Sequence, residues 1–222
     1  MNAESAPVAR DEELIGLLKA AQVIPVLTIE RVEDAVPLAS ALVLGGVKTL
    51  EITLRTDAAV DAAKAIIAEV PDAVVGIGTI TTADDLKRAE ALGARFGVSP
   101  GATPVLLEAA AKGDLPFLPG IATASELMQA QAHGFNLLKF FPAEQSGGID
   151  MLRALAGPFP HARFCPTGGI GGANAATWLA EPNVVAVGGS WLCPATDVKY
   201  ENWEVITARC IDMMKTLRRR PH

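Results

Sequence analysis

Residues 49–55 read TLEITLR, and the two faces of this short run differ in kind. Side chains alternate along a strand, so Leu50, Ile52 and Leu54 share one face while Glu51, Thr53 and Arg55 share the other. In a barrel the outer face packs against helices and must be apolar, which turns the polar trio inward. Two plainer arrangements fit the same alternation: a strand with one exposed face, or a buried ion pair that only satisfies itself. Taking a carboxylate and a guanidinium out of water is expensive, and costly buried charge gathers at functional sites.

Seven further runs resemble it: VIPVLTI (23–29), VVGIGTI (74–80), RFGVSPG (95–101), PFLPGI (116–121), NLLKFFPA (136–143), RFCPTGGI (163–170) and VVAVGGSWL (184–192). Their starts step by 20–27 residues, about one strand plus one helix with tight loops. Helical segments lie between them. RVEDAVPLASALVLGG and TADDLKRAEALG close on glycine, a frequent helix end. TASELMQAQAHG opens on Thr123 with Glu126 three residues later, a capping-box spacing. In ATPVLLEAAAKG, Thr103 is the expected N-cap and Pro104 suits the first turn. The pattern predicts a single-domain (β/α)8 TIM barrel over residues 1–222, with its core at about 10–215 and a short extra N-terminal helix, DEELIGLLKA. A doubly wound open sheet is the alternative. Against it, no G-x-G-x-x-G follows the first strand, and the glycine-rich turns follow the last two.

A chain of 222 residues, half of them apolar, with 20 glycines and 15 prolines, is globular in composition and can bury a sizeable core. The net charge of −6 argues for a soluble protein and against a nucleic-acid partner. The basic KTLRRRPH at the C-terminus reads as the end of a last helix. Cys165, Cys193 and Cys210 form no C-x-x-C, so a reducing cytoplasmic home is expected. No signal-like or membrane-spanning apolar stretch is found, and no membrane partner is expected.

The parity argument also places Lys139 in NLLKFFPA on the inward face with Leu137 and Phe141, leaving Leu138 and Phe140 to the helices. Lys139 then either pairs with Glu51 or serves as an amine that attacks a carbonyl carbon to form a Schiff base. Attack needs the neutral amine; Arg55 nearby would favour it and Glu51 would oppose it. Arg55 is also suited to gripping a substrate carboxylate. Two turns, PTGGIGG (166–172) and VGGSW (187–191), follow the last strands, where barrels often hold phosphate. Their glycines would let backbone N–H groups meet an anion, a helix N-terminus would add its dipole, and Thr167 and Ser190 would add hydroxyls. Ordinary tight turns are the plain alternative. Thr79 at the end of GIGT either touches substrate or caps the next helix. His133, His161 and His222 lie far apart, so a metal-dependent mechanism is disfavoured.

Together, KTLEITLRT, GIGTI, SPG, PGIATASELM, LKFFPAE, FCPTGGI and VGGSWL resemble the 2-keto-3-deoxy-6-phosphogluconate (KDPG) aldolase family, which includes 4-hydroxy-2-oxoglutarate (KHG) aldolases. The resemblance runs over roughly residues 10–215, in the family's order. It implies a class I pyruvate aldolase on a (β/α)8 barrel, with no metal and no cofactor beyond a Schiff base on Lys139. Glu51 would be the general acid/base, Arg55 and Thr79 would bind the pyruvyl carboxylate region, and Phe141 would wall the pocket. Gly168, Gly169, Gly188, Gly189 and Ser190 would hold phosphate, with Thr167 near the sugar hydroxyls. A homotrimer acting in Entner–Doudoroff sugar breakdown is implied too. One departure stands out. After PTGGI the family often has serine or threonine, whereas Gly171 and Gly172 precede Asn174 here, which removes a helix-capping hydroxyl. Two further readings are a phosphosugar isomerase or epimerase on the same late loops, and a phosphosugar-binding sensor.

Overall fold

The structure, a computed structural model, describes residues 6–218. His222 and the last residues of the basic C-terminal run lie outside the described residues. The strands are β1 (Val23–Leu27), β2 (Thr49–Thr53), β3 (Val74–Gly78), β4 (Phe96–Val98), β5 (Phe117–Leu118), β6 (Gly120–Ile121), β7 (Leu137–Phe140), β8 (Arg163–Pro166) and β9 (Val187–Gly189). The helices are α1 (Ala6–Ala21), α2 (Val32–Leu44), α3 (Ala59–Glu69), α4 (Ala83–Ala91), α5 (Pro104–Lys112), α6 (Ala124–Ala132), α7 (Gly148–Ala156), α8 (Ala175–Leu179), α9 (Ala195–Lys199) and α10 (Trp203–Arg218). No helix among the described residues is long and apolar enough to cross a membrane.

This is a parallel α/β fold. One sheet runs β5-β4-β3-β2-β1-β9 and a second runs β6-β7-β8. Parallel bridges Phe164↔Val184 and Thr167↔Gly188 tie β8 to the segment carrying β9. The last strand therefore lies beside the first, and consecutive strands are neighbours, unlike the reversed order of a doubly wound sheet. The expected strand at 116–121 is split into β5 and β6, because Pro119 between them has no N–H to give to a ladder. Its carbonyl still accepts from Lys139 N at 2.9 Å.

The strand faces sort into two cores. Leu50 and Ile52 of β2 and Leu138 and Phe140 of β7 pack on the helix side with Leu38, Leu42, Ala62 and Ile66. Ile24, Phe96, Val98, Leu118, Leu137 and Cys165 form the other core, which Leu14 and Leu18 of α1 cover. Each of those two leucines contributes about 1.5–3 kcal/mol by leaving water. Asp11 fixes α1 in place, its carboxylate accepting from the backbone N–H groups of Asn136 and Leu137. Gly76 of β3 makes room in this core, since a Cβ there would lie 2.2 Å from the Phe96 ring.

Local signals act as expected. Thr103 caps α5 with Pro104 in its first turn, and Thr123 and Glu126 form a capping box on α6. Gly46, Gly93 and Gly134 follow helices at positive φ, where a side chain would be strained. Alpha2 buries Ala35, Leu38, Ala39 and Leu42, one stripe at helical spacing.

Candidate active site

Glu51 lies on the opposite face of β2 from Leu50 and Ile52, and Lys139 lies on the matching face of β7. Lys139 Nζ donates to Glu51 Oε1 at 3.0 Å and lies 3.4 Å from Oε2. Both side chains are 5% exposed. The carboxylate is seated against β3, where a Cβ on Gly78 would lie 2.2 Å from Glu51 Oε1. Lys139 Nζ also stands 5.4 Å from the centre of the Phe141 ring, which walls the amine on one side. Cys165 is the partner of Lys139 in the β7–β8 register. Burial pushes its thiol up to about 12, so it stays protonated at neutral pH.

A bare pair would be only a satisfied core contact. This one opens into a cavity of about 230 Å³ lined by Val26, Thr28, Arg55, Lys139, Phe141, Thr167, Gly168, Gly169, Ile170, Gly189 and Ser190. Arg55 lines the same cavity as Lys139, as parity expects, but it is not buried. Beta2 ends at Thr53, so Arg55 is exposed at the rim of the cavity rather than buried inside it. Its guanidinium is partly solvated and avoids the full desolvation cost. Arg55 Nε donates to Thr79 Oγ1 at 3.2 Å.

Thr79 adopts φ +62°, a left-handed conformation that a β-branched residue seldom takes. Such strain gathers where the surrounding structure overrules it, often at sites. The cap of α4 is not Thr79 but Thr82, whose hydroxyl accepts from Asp85 N while Asp85 caps in return. Thr79 instead meets the Arg55 guanidinium.

The glycine turn after β8 carries Gly168 at φ +104° and Gly169 at φ +77°, backbone shapes that favour glycine. Gly189 and Ser190 complete the wall. Gly188 does not line the cavity; a Cβ there would lie 2.4 Å from Thr167 Oγ1, so this glycine makes room for Thr167. The following helix, α8, has five residues, so its dipole adds little. The missing capping hydroxyl has no side-chain substitute on α8, and Asn174 instead braces the turn before the helix. Asn174 Oδ1 accepts from Gly171 N at 2.8 Å, and its Nδ2 donates to Gly169 O and to Glu144 Oε1, each at 3.1 Å. Trp178 Nε1 donates to the same Glu144 oxygen. Ala143 N and Glu144 N donate to Thr167 O and Gly168 O, lacing the turn to the loop that follows Lys139.

Sequence reasoning missed Glu144, Asn174 and Trp178 because their contacts join distant segments. It also missed Val26 and Thr28, although alternation in VIPVLTI sets Ile24, Val26 and Thr28 apart from the helix-packed Val23, Leu27 and Ile29. Among the described residues, no group of three or more His, Cys, Asp or Glu side chains is placed to hold a metal ion. His133 ends α6 with Nδ1 against Gln129 O.

A family model described as KDPG and KHG aldolase matches residues 14–209. The 2-dehydro-3-deoxy-phosphogluconate aldolase of Pseudoalteromonas atlantica is 52% identical over 185 residues, covering 83% of this chain and 86% of that protein. A KDPG aldolase structure from Legionella pneumophila, with pyruvate captured as a covalent carbinolamine intermediate, is 47% identical with a TM-score of 0.87. That match covers 90% of this chain and 97% of the other. A KDPG aldolase structure from Zymomonas mobilis with 3-phosphoglycerate is 44% identical with a TM-score of 0.84, covering 92% and 95%.

Proposed function

Because the chain belongs to the KDPG and KHG aldolase family, we propose that it reversibly cleaves KDPG to pyruvate and glyceraldehyde 3-phosphate through a Schiff base on Lys139. It also cleaves KHG, to pyruvate and glyoxylate. The observation that carries the reading is one buried amine, hydrogen-bonded to one buried carboxylate, at the base of a cavity that has a guanidinium and a glycine turn on its walls.

The steps follow from that arrangement. Lys139 Nζ, passing a proton to Glu51, attacks the C2 ketone of the substrate and forms a carbinolamine. Glu51 returns that proton to the leaving hydroxyl, which departs as water and leaves an iminium and a free carboxylate. The substrate carboxylate, one carbon away, is gripped by Arg55, held in turn by Thr79. Phe141 packs beside the pyruvyl carbons. Glu51 takes the C4 hydroxyl proton, the C3–C4 electron pair flows into the iminium, and the aldehyde leaves an enamine behind. Glu51 then returns a proton to C3, and water releases pyruvate and the free amine. One carboxyl suffices, because each transfer restores what the previous one removed. The phosphate rests against Gly168, Gly169, Gly189 and Ser190, with Thr167 towards the hydroxyls, and this remote grip orients the reacting carbons. Gly188 serves the same wall indirectly, by admitting Thr167. No step calls for a metal, and the carbinolamine formed by the Legionella pneumophila enzyme supports this covalent route. An isomerase or a sensor would have no use for the buried amine.

We read the two sheets as one eight-stranded barrel, a reading supported by the bridges between β8 and β9 and by the continuity of β5 and β6 across Pro119. The same reading takes residues 1–222 as one domain. It takes the working form as a cytoplasmic homotrimer in Entner–Doudoroff metabolism, with no membrane or nucleic-acid partner, on family likeness and the net charge of −6. Pyruvate release from KDPG and from KHG, coupled to NADH oxidation by lactate dehydrogenase, tests the activity. Release that survives a metal chelator and is lost in Lys139→Ala is expected. Release abolished by the chelator, or kept in Lys139→Ala, would contradict the reading.

A further inference from the structure

The cavity is rich in hydrogen-bond donors. Lys139 and Arg55, which line it, carry only N–H groups as polar side-chain atoms. A substrate hydroxyl brings a proton of its own and needs an acceptor for it. Thr28 supplies one. Its Oγ1 lies 3.2 Å from Thr53 Oγ1, and Thr53 Oγ1 donates to the Leu27 carbonyl at 2.8 Å. A hydroxyl has a single proton. With the Thr53 proton committed to Leu27, Thr28 must be the donor in the Thr28–Thr53 contact. The lone pairs of Thr28 that face the cavity are then left to accept, and its own proton is not available to substrate.

Strand register says which part of a substrate Thr28 meets. Val26 pairs with Glu51 and Leu27 with Ile52, so Thr28 stands level with Thr53, one step nearer the mouth than Glu51 on the same face. On the other side of β1, Pro25 pairs with Gly189, whose strand leads to Ser190. Thr28 thus stands above the Lys139–Glu51 pair, on the way to the phosphate wall.

We propose that Thr28 is a specificity-determining residue that accepts a hydrogen bond from the substrate hydroxyl lying between the cleaved bond and the phosphate. In KDPG this is the C5 hydroxyl, which becomes the C2 hydroxyl of glyceraldehyde 3-phosphate. The inference rests on the aldolase reading above and adds to it the group that recognises the aldehyde half.

The test is aldol addition of pyruvate to two aldehydes of equal length, glyceraldehyde 3-phosphate and 3-oxopropyl phosphate, which lacks that hydroxyl. Thr28→Val keeps the shape and removes the acceptor; Thr28→Ser keeps the acceptor. Thr28→Val should lower kcat/KM for glyceraldehyde 3-phosphate by about 3- to 10-fold, the span of one neutral hydrogen bond, and leave 3-oxopropyl phosphate within about twofold. Thr28→Ser should keep the native preference between the two. Equal losses on both aldehydes, or no loss on either, would overturn the assignment of Thr28. A wild-type chain that adds pyruvate to neither aldehyde would instead overturn the aldolase reading, a result read before any variant is compared.

Discussion

Replacing Gly78 with alanine should disable the chemistry while leaving the catalytic residues themselves intact. Gly78 has no need of glycine's backbone freedom, so the effect of Gly78→Ala is steric. The new Cβ would lie 2.2 Å from Glu51 Oε1, 2.7 Å from its Cγ and 2.8 Å from its Cδ. Ordinary contact needs more than about 3.2 Å, so the carboxylate must retreat by about 1 Å, and a displacement of that size costs about 100-fold in rate. The hydrogen bond from Lys139, now 3.0 Å, would stretch beyond bonding distance. Overpacking would also lower stability, by about 1–3 kcal/mol. Gly76→Ala separates the two effects, because the atoms nearest its Cβ would be those of the Phe96 ring rather than of Glu51. Pyruvate release and urea unfolding should therefore diverge: Gly76→Ala loses stability and keeps kcat, whereas Gly78→Ala loses both. A folded Gly78→Ala protein with kcat within about threefold of wild type would refute the claim that Glu51 must stay where β3 seats it.

Other perturbations follow from the same geometry. Arg55→Ala removes a charged donor and should raise the pyruvate concentration needed for saturation by about 10- to 100-fold; unchanged saturation would remove Arg55 from the carboxylate site. Gly169→Ala strains a residue at φ +77° and drives a Cβ to 2.4 Å from Glu144 Cγ. It should raise KM for KDPG by about tenfold and spare KHG, which has no phosphate, and equal effects on both would count against the phosphate turn. Burial pushes Cys165 and Cys193 up to about 12 and Cys210 up to about 11. An unfolded thiol ionises near 8.5, so between about pH 8.5 and 11 the unfolded chain binds fewer protons and stability falls as pH rises. Each thiol adds a slope of about 1.4 kcal/mol per pH unit. Urea midpoints across that range check this, and a flat profile would contradict it.

Much of the site was legible because its carriers sit on strands, where parity is a strict rule. Leu50 and Ile52 against Glu51, and Leu138 and Phe140 against Lys139, separate onto the faces that alternation assigns. Arg55 keeps the side that parity assigns but not the burial. Burial lasts only while the strand continues, and nothing in TLEITLR marks Thr53 as its last residue. Pro119 did signal a break, through its missing N–H, within a run that reads as continuous. The brace of Glu144, Asn174 and Trp178 was hidden for another reason: Glu144 lies 30 residues from Asn174 in sequence, and only the folded chain brings them together. Gly78 carried a readable hint, since Gly76 and Gly78 are the two small residues on one face of β3, but what fills that space is a property of neighbouring strands.

The central claim is that the amine of Lys139 becomes an imine. Incubation with pyruvate and borohydride, followed by digestion and mass spectrometry, measures it directly. A reduced pyruvyl group on the peptide containing Lys139, absent when pyruvate is omitted, is the predicted result. An unmodified Lys139 peptide from protein that still releases pyruvate would contradict the account.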